Sequence, residues 1–459
     1  MTTIVKLFLL ASVYSTVTFA DAGDLAHRPP SFAVGEDKIV FVDFHTAAYQ
    51  ITYDIAAQRA TVRARITFTM PESGRPVFDL LAEPSAVVLD GQATSAPVVA
   101  TPGPTKVRAV ALAVGVGEHV LEVSAPIENL LEFPGGNSVK SAFWVTDLRD
   151  RYYLERYLPV NLEYDRVAMT FDVEFAGLVG RQHIFTNGTL TWDGDTKARV
   201  EFPAKWTMNS VYFHTTPVGA VQVLQFDYPG VGGRRIPVTI YQGTMPSAPI
   251  TTWKRMVERA MDELERDYGP FPHETLTIHD VDLTSMGLGG MEYAGATATN
   301  LGVLGHELFH SWFARAVTPA NGNAGWIDEA LASWRDRYYS QYRELYEGSR
   351  MAGLSAYARA THLGAYGFGA TFMGHLDYLL TDKGGLRPFL RQLLETHAFR
   401  PLFTSEFVNE LEAYAGRELR SLFVRWTGFG SAAKTPAGES EEPHPIHRKM
   451  TEREMRLIL

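Results

Sequence analysis

A chain of 459 residues exceeds one ordinary hydrophobic core, so two or three domains are expected. With 46% hydrophobic and 20% charged residues it has a folding rather than a disordered composition, and a net charge of −10 without a basic cluster argues against a nucleic-acid partner. The absence of cysteine excludes disulfides and thiolate metal ligands.

The chain opens MTTIVKLFLLASVYSTVTFADAGD. Lys6 precedes a mostly apolar run from Leu7 to Phe19, and a small residue, Ala20, closes it. Residues 1–20 therefore read as a secretory signal, which makes the mature protein exported, periplasmic or secreted. An uncleaved anchor is the alternative, but the run is short for a span and carries Ser and Thr. No later segment approaches ~18 consecutive apolar residues, so no stable membrane span is expected after signal removal.

Residues 21–245 read as an N-terminal β-sandwich-like domain. Val62, Ala64, Ile66, Phe68 and Met70 alternate with Arg63, Arg65, Thr67 and Thr69. Val167, Met169, Phe171, Val173 and Phe175 alternate in the same way, one row for a core and the other for water. Asn187-Gly188-Thr189 is a glycosylation sequon, but a strand-to-turn Asn-Gly is the simpler reading. At residues 246–430 the period changes. Trp253, Met256, Val257, Ala260, Met261 and Leu264 recur at helical spacing until Pro270 and Pro272, and a mainly helical domain follows. Residues 431–459 read as a polar linker and a short tail.

The stretch GHELFHSWFARAVTPANGNAGWIDEALASW, residues 305–334, carries the chemistry. His306 and His310, four apart on a helix, present both imidazoles to one ion. Glu307 lies one step round, where it can hold a water. A catalytic zinc site needs three protein ligands and an open position, and Glu329, at the start of a second helix packed back on the first, supplies the third. Two surface histidines on an amphipathic helix are the alternative. Against it, Val303, Leu304, Leu308, Phe309 and Trp312 surround the pair, and buried ionisable groups need partners.

GHELFHSW, followed after eighteen residues by the glutamate of WIDEALASW, resembles the zinc signature of the aminopeptidase N family. Upstream, GGMEYAG resembles its Gly-x-Met-Glu-Asn exopeptidase motif, and AYGFGATFMGHL resembles its Tyr-x-Lys-Gly-Ala segment. The resemblance covers roughly residues 40–390. It implies a thermolysin-like, mainly helical zinc peptidase domain behind the β domain, and one Zn2+ per chain bound by His306, His310 and Glu329. It further implies that Glu307 is the general base and that Tyr366 steadies the oxyanion. Glu292, with Gly290 and Met291, would bind the free α-amine end of a peptide.

Several positions depart from the family pattern. Tyr293 stands where Asn is usual, Phe368 replaces a lysine, and Tyr357 rivals Tyr366 for the tyrosine role. The segment from Glu292 to His306 is short, and the large C-terminal helical domain is missing. Asp328 reads as a helix N-cap, and His362 and His375 as structural residues. The function expected is a zinc-dependent aminopeptidase. The alternatives are a zinc peptidase of other specificity, glycyl-aminopeptidase-like or an endopeptidase, and a non-catalytic metal-containing binding protein.

Overall fold

A computed structural model describes residues 26–100, 105–146, 153–243, 246–284, 288–358, 360–430, 455 and 458–459. The leader expected at residues 1–20 and most of the polar linker lie outside the described residues.

The first half is built on an eight-stranded sheet. Its central strands are β1 (Asp43–Asp54), β2 (Arg59–Met70), β3 (Gly117–Ile127) and β4 (Ala168–Ala176). β1 pairs antiparallel with β2 and parallel with β4. The period-two reading holds residue by residue: Val62, Ala64, Ile66, Phe68 and Met70 are buried and Arg63 and Arg65 are exposed. A four-stranded sheet that includes Gln182–Thr186 and Phe213–Pro217 shares the same core. Asn187 is not an exposed acceptor. It is buried in the turn after Gln182–Thr186, its amide donates to the carbonyls of Ser210 and Ala294 at 2.6 Å, and its carbonyl accepts from the Tyr212 N–H.

The second half has a five-stranded sheet of β5 (Gln222–Pro229), β6 (Arg235–Gln242), β7 (Leu276–Asp280), β8 (Gly290–Tyr293) and β9 (Ala296–Thr299), in the order β5-β6-β7-β9-β8. β6, β7 and β9 run parallel, while β5 and β8 are antiparallel edges. Strand alternation alone groups β5 and β6 with the first half; their hydrogen bonds join them to the second. Helix α1 (Ile250–Tyr268) buries Trp253, Val257, Met261 and Leu264 in the second core, as its spacing predicts. Two helices central to the site follow, α2 (Leu304–Phe309) and α3 (Trp326–Asp336). The fold ends with α4 (Ala370–Leu379), α5 (Leu386–His397), α6 (Thr404–Ala415) and α7 (Arg420–Thr427). Residues 340–358 and 360–363 are irregular where sequence reads mainly helix. Tyr338 and Tyr339, at φ 54° and 57°, turn the chain out of α3. Among the described residues, no helix is long and apolar enough to cross a membrane.

Candidate active site

The apolar flanks of the histidine pair become the buried side of α2. Leu304, Leu308, Phe309 and Trp312 enter the second core, which leaves His306 and Glu307 facing a cleft. The helix is shorter than the motif implies. It ends at Phe309, and His310 is its helical C-cap at φ −61° and ψ −17°, so the i, i+4 geometry survives. The imidazole centroids are 4.8 Å apart. Helix α3 packs back against α2 and brings Glu329 Oε2 to 3.2 Å from His306 Nε2 and 3.5 Å from His310 Nε2.

The other ring nitrogens are engaged. His306 Nδ1 hydrogen-bonds Asp336 Oδ2 at 2.7 Å, and His310 Nδ1 donates to the Phe313 carbonyl at 3.1 Å. Both rings are thereby fixed with Nε2 toward Glu329, as metal-ligating histidines need. His306, His310 and Glu329 each offer a ligand atom, all within 4.8 Å of one another. Two imidazoles and a carboxylate fit a zinc ion. The electrostatics agree. Burial disfavours a charged His306, but the hydrogen bonds it donates to Asp336 and Glu329 outweigh it and raise its pKa to about 10. His310 is likewise raised against burial by Glu292 and Glu329, and the His310 and His306 charges hold Glu329 well below the usual carboxylate range. The cluster is built to surround positive charge.

Glu307 is buried beside the pair, and burial pushes its carboxyl up to about 8 against the pull of the His306 and His310 charges. It packs on Gly290, where a Cβ would lie 2.6 Å from Glu307 Cδ. Tyr366 lies in a single helical turn of π type, Ala365–Gly369, that runs into α4. Gly369 lets this turn approach α3 closely, since a Cβ there would meet Ala330 Cβ at 2.7 Å. The result is a 2.7 Å hydrogen bond from the Tyr366 hydroxyl to Glu329 Oε1. Tyr357 is elsewhere: it packs on Phe32 and Phe41 and donates to the Pro30 carbonyl.

These groups line one cleft of about 350 Å³, with Gly290, Met291, Glu292, His306, Glu307, His310, Glu329 and Tyr366 in its wall. All eight residues singled out by sequence thus converge. One smaller reading changes, and two contacts are new. Asp328 is not an N-cap: Gly325 holds that position, and Asp328 Oδ2 lies 4.0 Å from His310 Nδ1. Tyr293 faces away from the cleft, its hydroxyl accepting from the Val145 N–H at 3.1 Å. Glu292 is ion-paired with Arg315 at 2.7 Å, a contact the sequence did not announce. Asp336 was also missed, although it lies seven residues after Glu329, two turns along the same helix face, a legible signal. His362 and His375 have structural partners, the Gly364 N–H and the Tyr342 carbonyl.

No protein-family model matches the chain, and no curated protein sequence does. Solved structures do. An M1 zinc metallopeptidase mutant from Deinococcus radiodurans, bound to a Tyr-Ser-Ala substrate, superposes with a TM-score of 0.58 at 18% identity, covering 86% of this chain and 96% of that one. The fold is that of the M1 zinc metallopeptidases. Legionella pneumophila aminopeptidase A, in complex with aspartic acid, shares this M1 fold with a TM-score of 0.61 at 14% identity over 86% of this chain. The match spans 50% of that longer chain.

Proposed function

We propose that the chain is a zinc-dependent aminopeptidase that removes N-terminal residues from peptides, and that it acts after export. The observation that carries this reading is the convergence of His306, His310 and Glu329 beside Glu307 in a cleft that also holds Glu292. His306 and His310 through Nε2, and Glu329 through its carboxylate, hold the zinc. When bound, zinc polarises the scissile carbonyl, lowers the pKa of water toward ~7 and stabilises the Glu307 carboxylate.

The remaining work falls to the chain's own side chains. Glu307 takes a proton from the attacking water and returns it to the leaving amine, a role that contributes ~10²–10⁴ in rate. Its fixed position against Gly290 aims that transfer. Tyr366 donates to the developing oxyanion, a contact worth ~10²–10³. Its hydroxyl rests on Glu329 in the free protein and exchanges that bond for the substrate's. β8 is an edge of its sheet, so the main-chain groups of Gly290, which alternate with those of Met291 that face β9, are available to an extended peptide backbone. Glu292 pairs with the free α-amine and so selects an unblocked N-terminus.

A second reading, a zinc peptidase indifferent to a free amine, draws on the Glu292–Arg315 pair, because that carboxylate already has a cationic partner. Fluorogenic aminoacyl amides, each with a free and an acetylated α-amine, separate the two. Chelator-sensitive cleavage of the free forms alone is the expected result. Equal cleavage of both forms contradicts the aminopeptidase reading and supports the second.

A further inference from the structure

Glu292 belongs to two cavities. It lines the cleft, and it also lines a second, smaller cavity of about 40 Å³. Arg315 lines the smaller cavity and is not among the residues that line the cleft. One guanidinium nitrogen, Nη2, donates both to Glu292 Oε1 at 2.7 Å and to the Glu292 carbonyl at 3.0 Å. The two side chains are 3% and 9% exposed.

We propose that Arg315 is a specificity-determining positioning residue. From behind the wall of the cleft it fixes the Glu292 carboxylate as a charged, single-orientation receptor for the substrate amine. The inference rests on the aminopeptidase reading and deepens it. Three observations support it. First, Glu292 and Asp328 come within 4.8 Å of His310 and of each other, so two buried carboxylates crowd one corner, and a buried cation offsets their repulsion. Second, the grip is on both main chain and side chain of the same residue. That ties the carboxylate to the backbone of edge strand β8, along which a peptide backbone would lie. Third, Arg315 lies in the turn that leaves α2. Its N–H donates to the His310 carbonyl, so the amine receptor and the histidine helix are one mechanical unit. A guanidinium suits this post because the two N–H groups of its planar terminal nitrogen point in fixed directions, toward the carboxylate and toward the carbonyl, whereas an ammonium rotates freely.

The arrangement makes a directional prediction. If Arg315 merely competed with the substrate for Glu292, its removal would tighten amine binding. If it positions Glu292, removal loosens it. The experiment compares wild type, Arg315→Met, Arg315→Lys, Glu292→Gln and the Arg315→Met/Glu292→Gln double variant on leucine amides with free and acetylated α-amines. Zinc content and thermal unfolding are followed in each. The preference for the free amine in Arg315→Met should fall about tenfold or more, the loss of one charged hydrogen bond, with the change in KM rather than kcat. Arg315→Lys should be intermediate, and it keeps the test open if Arg315→Met does not fold. Adding Arg315→Met to Glu292→Gln should cost no further preference. An unchanged or increased preference in a folded, zinc-loaded Arg315→Met overturns the proposal, as does a second, additive loss in the double variant. Calorimetric binding of leucine amide against its acetylated form reads the same preference without turnover. Wild type that binds the free amine selectively yet cleaves nothing contradicts the proposed function while leaving the role of Arg315 measurable. Wild type with no amine preference in binding overturns the role of Arg315.

Discussion

At the residue scale the site depends on contacts one step from the reacting groups. Asp336 holds His306 through Nδ1 at 2.7 Å. Asp336→Asn keeps the shape but removes the charge that fixes this ring. It should weaken zinc binding by about 10–100-fold, measured by chelator competition. An unchanged zinc affinity would show that α2 and Glu329 orient His306 without Asp336. Gly290 is the second such contact. In Gly290→Ala the new methyl would lie 2.6 Å from the Glu307 carboxyl carbon, and the carboxylate must shift. A displacement near 1 Å typically costs about 10²-fold in rate. The variant should therefore lose kcat while retaining zinc and its unfolding temperature; a loss of zinc instead would mean that the strain passes to α2. His306, Glu307, His310 and Glu329 were legible because their geometry is local to one helix and its return. Arg315 was not: a charged residue in Trp312-Phe313-Ala314-Arg315-Ala316-Val317 gives no sign of the strand that turns a carboxylate toward it.

At the element scale, the strands were readable wherever one face is buried and the other solvated, as in β2 and β4. β5 and β6 show the same alternation, which cannot tell which sheet they join; their partners across the ladder decide it. The irregular stretches at 340–358 and 360–363 read as helix from sequence because their composition is ordinary and the chain leaves α3 at two tyrosines in left-handed backbone, not at Gly or Pro. A feature invisible from sequence is the set of buried histidines between the sheets. His279 on β7 stacks on Tyr241 of β6 with centroids 4.5 Å apart, and His214 hydrogen-bonds the same tyrosine through Nδ1. Burial lowers the pKa of His273 and of His279 to about 3 from 6.5. The sign follows. Between about 6.5 and 3 the unfolded chain binds protons that the folded chain refuses, so stability falls as pH falls. At pH 5 each histidine contributes about 2 kcal/mol of destabilisation relative to pH 7. Denaturant unfolding at the two values should show this loss, and His279→Phe should reduce it by about 2 kcal/mol. An equal loss in that variant would contradict the assignment.

At the scale of the whole molecule, the two halves share a core. Met291, Tyr293, Ala296 and Ala298, from the hairpin that carries Glu292, pack with the β-domain residues, as do Val281 and Leu283. Met455, Ile458 and Leu459, far along the chain, join the same cluster. Asn187 adds one hydrogen bond across this seam, to the Ala294 carbonyl. The halves should therefore unfold in one calorimetric transition, and residues 26–243 alone should lack a cooperative one; two separate transitions in the full chain would contradict the shared core. The seam also sets the two sides of the cleft, since the hairpin that carries Glu292 packs into the first core and the histidine helix into the second.

The central claim is that His306, His310 and Glu329 hold a zinc ion on which Glu307 depends for catalysis. Its most direct test strips the protein with a chelator and titrates zinc back while following cleavage of a free-amine leucine amide, in wild type and in Glu307→Gln. The account predicts that wild-type activity vanishes and returns in full at one equivalent of zinc, whereas Glu307→Gln binds one equivalent and stays inactive. Activity that survives metal removal, or that Glu307→Gln retains, would contradict it.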